Sequence, residues 1–222
     1  MTAASNTPTS PVAEIALIDY GAGNVPSVER ALQRLGARTV RAAAADEIVS
    51  ARALILPGVG HYSALIRALD ERSLRAPLLE KISRGTPFLG ICLGLQAIFD
   101  ASEEAPALAG LQLFPGAVRR LPDSVKLPHM GWNQLARRRD SRLLAGIAPA
   151  AYFYFAHSFA ASAAAPATEN AASVNATAAT STHGAEFIAV LERDNIFGVQ
   201  FHPEKSGDAG AQILRNFLSL AS

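Results

Sequence analysis

Three short apolar runs each end in a glycine-rich turn, and this repetition constrains the fold more than any other feature of the chain. Ile15, Leu17 and Ile18 lead through Asp19 into Tyr20-Gly-Ala-Gly23, Ala53-Leu-Ile-Leu56 leads into Pro57-Gly-Val-Gly60, and Phe88-Leu-Gly-Ile91 leads into Cys92-Leu-Gly94. Apolar runs of this length without polar alternation suit strands buried on both faces. Helical spacing fills the intervals: Val25 to Leu35 closed by Gly36, Asp46 to Ala51 opening on an acidic N-cap, and Ser63 to Arg84 with a break near Pro77. Thr39 to Arg41 adds a weaker strand. Strands alternating with helices imply a parallel sheet, whose carboxyl-terminal strand ends share one edge. The three glycine-rich turns are therefore expected to meet there.

Behind Cys92 a helix is expected over about Leu95 to Ser102. From Leu111 the rhythm changes to short strands, Leu113 to Leu121, Gln134 to Arg138 and Tyr152 to Phe155, which suit an antiparallel extension. The Ala/Thr/Ser-rich stretch 160–182 reads as a surface loop insertion. Glu186 to Leu191 and Ile196 to Phe201 flank Asp194-Asn195 as a hairpin, and Gly207 to Leu220 closes the chain as an amphipathic helix. Residues 1–11 read as a disordered N-terminal tail and residues 12–222 as one domain. The expected fold class is α/β: an open, mostly parallel sheet flanked by helices, with an antiparallel extension.

With 222 residues, 50% of them hydrophobic, the chain can bury a sizeable core. Its formal net charge of +1 gives no electrostatic argument for nucleic acid or an anionic membrane, and no apolar run is long enough to span a bilayer. The start of the chain lacks the pattern of a signal peptide. A single cysteine cannot form an intrachain disulfide, so a cytoplasmic location is expected, with no metal and no cofactor.

That cysteine sits in Gly90-Ile-Cys-Leu-Gly94, a cysteine version of a nucleophile elbow, in which the nucleophile occupies a sharp turn between strand and helix. A lone cysteine in an apolar run equally suits a small buried hydrophobe. A thiol nucleophile needs a base and a group to orient that base. His202 and Glu204 fit these roles, standing at i and i+2 at a strand end so that both side chains project to one side, with Pro203 fixing the backbone between them. The backbone N–H of Leu93 and one from Pro57-Gly-Val-Gly60 could hold an oxyanion, although the second stretch could also be a plain strand-to-helix turn.

Gly90-Ile-Cys-Leu-Gly-Leu-Gln96 together with Gly198-Val-Gln-Phe-His-Pro-Glu-Lys-Ser206 resembles the class I, triad-type glutamine amidotransferases. Within that class Asp19-Tyr-Gly-Ala-Gly-Asn24, Pro57-Gly-Val-Gly-His61 and Pro128-His-Met-Gly-Trp-Asn133 look like the glutaminase subunits of imidazole glycerol phosphate synthases. The resemblance runs from about Val12 to Leu220 and implies a flavodoxin-like type 1 amidotransferase domain. It further implies that glutamine is hydrolysed to glutamate and ammonia, and that the ammonia passes to a partner cyclase subunit with a (β/α)8 barrel. That partner would make imidazole glycerol phosphate and aminoimidazole carboxamide ribotide for histidine biosynthesis.

Carried over by position, the resemblance makes Cys92 the nucleophile, His202 the proton carrier and Glu204 its orienting group. Val59, Gly60 and Leu93 would form the oxyanion site, the first after its peptide reorients, and Gly58, Gln96, Ser158 and Phe159 would hold the substrate. Asn24, His129, Met130, Trp132 and Lys205 would face the partner, although Trp132 alone equally suits a core. Leu95 and Phe159 stand where the family often has methionine and tyrosine, and Pro26 stands where a polar residue is common. The glutaminase of another amidotransferase, or a non-catalytic redox protein of the same architecture, remain the competing readings.

Overall fold

The computed structural model describes residues 14–163, 173 and 175–221, so the expected tail at 1–11 lies outside the described residues. An eight-stranded sheet runs through the molecule. Its parallel half comprises β1 (Glu14–Ile18), β2 (Arg38–Ala42), β3 (Ala53–Gly58) and β4 (Phe88–Cys92), joined at its far side by β13 (Ile196–Val199). These pair in the order β2-β1-β3-β4-β13, which reverses direction at β1 as in flavodoxin-like sheets. Antiparallel strands β12 (Ala185–Arg193), β11 (Thr177–His183) and β8 (Ala136–Arg137) extend it beyond β13.

Alternate strand residues feed two cores, one on each face. Ile15, Leu17, Ile55, Leu89 and Ile91 pack with Val28 and Leu32 of α1 (Val25–Arg34) and with Ile213 and Phe217 of α6 (Gly207–Leu220). Ala16, Ile18, Leu54 and Leu56 pack the other way, against Ile48 of α2 (Ala45–Ser50), Leu65 and Leu69 of α3 (Tyr62–Glu71), and Leu78 and Ile82 of α4 (Arg75–Ser83). A sheet covered on both faces by helices is what continuous apolar strands require.

Several expectations need correction. The predicted helix from Leu95 to Ser102 is one turn, α5 (Leu93–Gln96), followed by strand β5 (Phe99–Ser102). The carbonyls of Ala97 and Ile98 accept from the N–H groups of Leu111, Leu113 and Phe114, so a tertiary loop takes the acceptors that a longer helix would use. Chain direction between α3 and α4 changes at Arg72 to Leu74, where Ser73 has φ 56°, and Pro77 lies inside the first turn of α4, where proline is tolerated. Helix α2 starts at Ala45, and its N-terminal donors at Ala43 and Ala44 are met by Glu47 rather than by Asp46.

The strands after Leu111 do not all join the main sheet. β6 (Phe114–Arg120) lies between β5 and β10 (Phe159–Ala161), while β7 (His129–Gln134) and β9 (Tyr152–His157) form a separate antiparallel pair. The expected surface loop at 160–182 is also overturned at both ends. Ala160 and Ala161 are buried in β10, and Thr177 to Ser181 are buried in β11 between β12 and β8, while residues 164–172 and 174 lie outside the described residues. No helix among the described residues is long and apolar enough to cross a membrane.

Close approach at the end of β4 sets a demand on sequence. A Cβ on Gly94 would stand 1.9 Å from the Leu56 carbonyl oxygen, and one on Gly90 2.6 Å from that of Gly94. Gly36 has φ +81° but open space around it. Gly94→Ala should therefore cost about 3 kcal/mol or more of stability in urea titration, and Gly36→Ala only about 1 kcal/mol; equal losses would mean that the close approach at position 94 relaxes at little cost.

Candidate active site

The carboxyl ends of β3, β4 and β13 converge on Cys92, the last residue of β4. Its backbone is held at φ 54°, ψ −107°, a conformation that side-chain-bearing residues rarely adopt. The strain is sustained by β-pairing on both flanks, Gly58 to Cys92 on one side and Val199 to Ile91 on the other. Cys92 is 4% exposed, and a cleft of about 310 Å³ opens above it, lined in part by Val59, Gly60, Leu93, Gln96, Ser158, Phe159, His202 and Lys205.

His202 and Glu204 arrive from β13. Their juxtaposition does not come from strand alternation, because β13 ends at Val199 and Glu204 sits in a 3-10 turn, Pro203–Lys205. The turn brings the Glu204 Oε1 to 3.0 Å from the His202 Nδ1, with both side chains buried. A carboxylate only accepts, so His202 Nδ1 donates and Nε2 is left for the Cys92 sulfur. Burial opposes charge on this imidazole, but hydrogen bonds and charge interactions with Cys92 and Glu204 outweigh it and push the group up to about 10. Backbone clamps hold the segment: His202 N–H donates to Tyr154 O at 2.8 Å, and Ser206 Oγ donates to His202 O at 2.6 Å.

Asn24, expected at a partner surface, is half-buried and donates its Nδ2 to Glu204 Oε1 at 3.1 Å. It therefore fixes the orienting carboxylate from the β1–α1 turn. Gly58 is buried beneath the elbow, where a Cβ would meet Leu93 Cβ at 2.6 Å, and it does not line the cleft. His129 is not on the surface either. At 5% exposure it stacks between Phe155 and His183, because its strand β7 turns residues 129, 131 and 133 inward. Met130 (66% exposed), Trp132 (56%) and, from β9, Tyr152 (54%) point outward, which removes Trp132 from the core. Lys205 is exposed, its Nζ 5.6 Å from the Tyr154 ring centre.

Three residues of the site escaped the sequence reading. Gln200 is fully buried and donates its Nε2 to Cys92 Sγ at 3.6 Å, while its Oε1 accepts from Gln96 Nε2 at 3.2 Å. Its position two residues before His202 was the available signal. Glu104 is the one carboxylate among the described residues that line the cleft, and its Oε2 accepts from Tyr62 N–H at 2.7 Å. His157 lines the cleft as well, its Nδ1 2.9 Å from Phe159 O. That carbonyl also accepts from Gln96 Nε2 at 2.7 Å, and the Ser158 carbonyl accepts from Leu121 N–H.

The model for the family described as glutamine amidotransferase class-I matches residues 16–221. The imidazole glycerol phosphate synthase subunit HisH of Moorella thermoacetica is 45% identical over 91% of this chain and 93% of its own length. The same subunit from Methanothermobacter thermautotrophicus is 45% identical over 93% and 98%. Among solved structures, a glutamine amidotransferase superposes with a TM-score of 0.71 at 16% identity, covering 93% of this chain and 98% of its own. PurLQS from Thermotoga maritima gives 0.68 at 17%, covering 95% and 100%. At such identities these structural matches establish the fold alone.

The buried histidines generate a stability prediction. Burial, with His183 beside it, pushes His129 down to about 4, and burial followed by the neighbouring His129 pushes His157 down to about 3, both from 6.5. Below pH 6.5 the unfolded chain binds protons that the folded chain refuses, so stability falls as pH drops from 6.5 towards 4. His202, already protonated in the folded state, opposes this slope near pH 6.5 and adds none below about pH 5.5, where the unfolded histidine is protonated too. Urea midpoints measured across it should show a dependence that His129→Phe flattens by up to about 1 kcal/mol per pH unit; an unaltered slope would contradict a neutral His129.

Proposed function

The chain belongs to the class I glutamine amidotransferases, among the HisH subunits of imidazole glycerol phosphate synthase, and from that premise we propose how it works. It is the glutamine amidotransferase subunit of a histidine-biosynthetic enzyme. In our reading Cys92, His202 and Glu204 hydrolyse glutamine to glutamate and ammonia, and the ammonia passes to a cyclase partner with a (β/α)8 barrel.

The observation that carries this reading is the strained cysteine at the end of β4, opening onto the same cleft as a histidine already paired with a buried carboxylate. The Cys92 thiol passes its proton to His202 Nε2, and the sulfur attacks the side-chain amide carbon of glutamine. Negative charge develops on the amide oxygen, where N–H groups of Leu93 and of Val59 or Gly60 would receive it. His202, whose raised proton affinity suits it to hold the proton taken from the thiol, then gives that proton to the ammonia that departs as the C–N bond breaks. Glu204, itself gripped by Asn24, keeps the His202 ring oriented throughout. Water taking the vacated place then attacks the glutamyl thioester, His202 accepts its proton, the C–S bond breaks, and the proton returns to the Cys92 sulfur as glutamate leaves.

The substrate's other end carries an ammonium and a carboxylate. Glu104 supplies the negative charge that the ammonium calls for, while Gln96 and the backbone around Ser158 and Phe159 complete the wall. Met130, Trp132 and Tyr152 are exposed on the outward face of the β7–β9 pair, where Met130 stands opposite the cleft-lining Ala156, and Lys205, in the turn after His202, lines the cleft itself. An aromatic residue and a methionine on one outward strand face suit a docking anchor for the barrel. Such docking would cover the cleft and keep ammonia from bulk water.

Cys92→Ala should abolish glutamine-dependent synthesis of imidazole glycerol phosphate by the assembled enzyme while leaving synthesis from added ammonium salt within about twofold of wild type. Retained glutamine-dependent synthesis would remove Cys92 from the chemistry, and loss of both activities would contradict the division of labour between subunits.

A further inference from the structure

Seven residues form an unbroken path of polar contacts from the inner face of β7 to the nucleophile. Asn133 Nδ2 donates to Thr182 O at 3.0 Å and lies 3.4 Å from His129 Nε2. His129 Nδ1 is 3.1 Å from His157 Nε2, the two residues being direct cross-strand partners in the β7–β9 pair. His157 Nδ1 reaches Phe159 O, which Gln96 shares; Gln96 continues to Gln200, and Gln200 to Cys92 Sγ.

Hydrogen-bond polarity along the path is determined by its ends. A carbonyl can only accept, so His157 Nδ1 carries a proton and donates to Phe159 O. A neutral His157 then offers a bare Nε2, which obliges His129 to donate from Nδ1 and to keep Nε2 bare for the Asn133 amide. Both rings are buried among aromatic neighbours, His157 edge-on to Phe187 at 4.9 Å and His129 stacked on Phe155 at 4.9 Å. Burial keeps each imidazole neutral, as this single arrangement of protons requires. Every ring nitrogen has a partner, so neither ring can turn without breaking a bond that burial makes costly to lose.

We propose that His157 is a positioning residue for glutamine: it sets the Phe159 carbonyl, and with it the Gln96 amide, in the wall of the cleft. Neither ring is asked to carry a proton in the reaction. The same strand that turns His129 and Asn133 inward turns Met130 and Trp132 outward, so its position bears on both the docking face and the cleft. The inference rests on the reading of the cleft as the glutamine site.

The test uses the assembled synthase and follows glutamate release against glutamine concentration. His157→Phe keeps the ring and loses both nitrogens; it should raise KM for glutamine about fivefold or more, with kcat within about twofold. His157→Asn can still donate to Phe159 O from its side-chain amide and should return KM to within about twofold of wild type. A role in packing alone would lower the active fraction, and so kcat, at unchanged KM. An unchanged KM in the phenylalanine variant, or an equal rise in both variants, overturns the proposal. Should the phenylalanine variant not fold, His157→Gln, whose longer side chain moves the amide away from Phe159 O, takes its place with the same expected rise and the same overturning result. Absence of glutamate release from the wild-type complex would instead contradict the glutaminase reading itself.

Discussion

The site depends on one backbone constraint: a cysteine held at positive φ where a central strand stops. A side-chain-bearing residue in that conformation costs on the order of 1–3 kcal/mol and persists only where the surroundings over-determine it. Here β3 and β13 hold the strand from both sides, and Gly58, Gly90 and Gly94 let the elbow pack directly on neighbouring backbone. The sulfur is thereby presented to the cleft from a rigid support, while His202 arrives on the adjoining strand and Asn24 from the β1–α1 turn. Three of the apparent requirements of the chemistry thus follow from strand order in a parallel sheet, whose carboxyl ends must lie together.

Three buried histidines near this elbow show how environment divides one residue type into different tasks. Burial disfavours charge on all three. His202 also has Cys92 and Glu204 beside it and is pushed up to about 10, whereas His157 and His129 have mainly each other, His183 and aromatic rings, and are pushed down. The first is equipped to hold and deliver a proton. The other two are held neutral and link β7 to the cleft wall.

Much of the sheet was legible because local pattern and tertiary context agree there. Ile15 to Ile18, Ala53 to Leu56 and Phe88 to Ile91 read as buried strands and lie at the centre of the sheet. Agreement failed where distant segments decide. Phe99 to Ser102 follows a helical run yet pairs with β6, and the small residues of Thr177 to Ser181 looked like a polar loop yet fill a narrow space between two strands. The inward turn of His129 depends on its cross-strand neighbour His157, which no spacing along the chain reveals. Glu104 was hidden for the same reason, since its place at the cleft follows from the strand at Phe99 rather than from the expected helix.

The central claim, that Cys92 carries the substrate's acyl group, is tested most directly by mass spectrometry of the partner-bound chain quenched in acid during turnover of isotope-labelled glutamine. The account predicts a labelled glutamyl group on the peptide containing Cys92, lost on treatment with hydroxylamine as a thioester requires. Turnover with an unmodified Cys92 throughout, or label fixed stably on another residue, would contradict it.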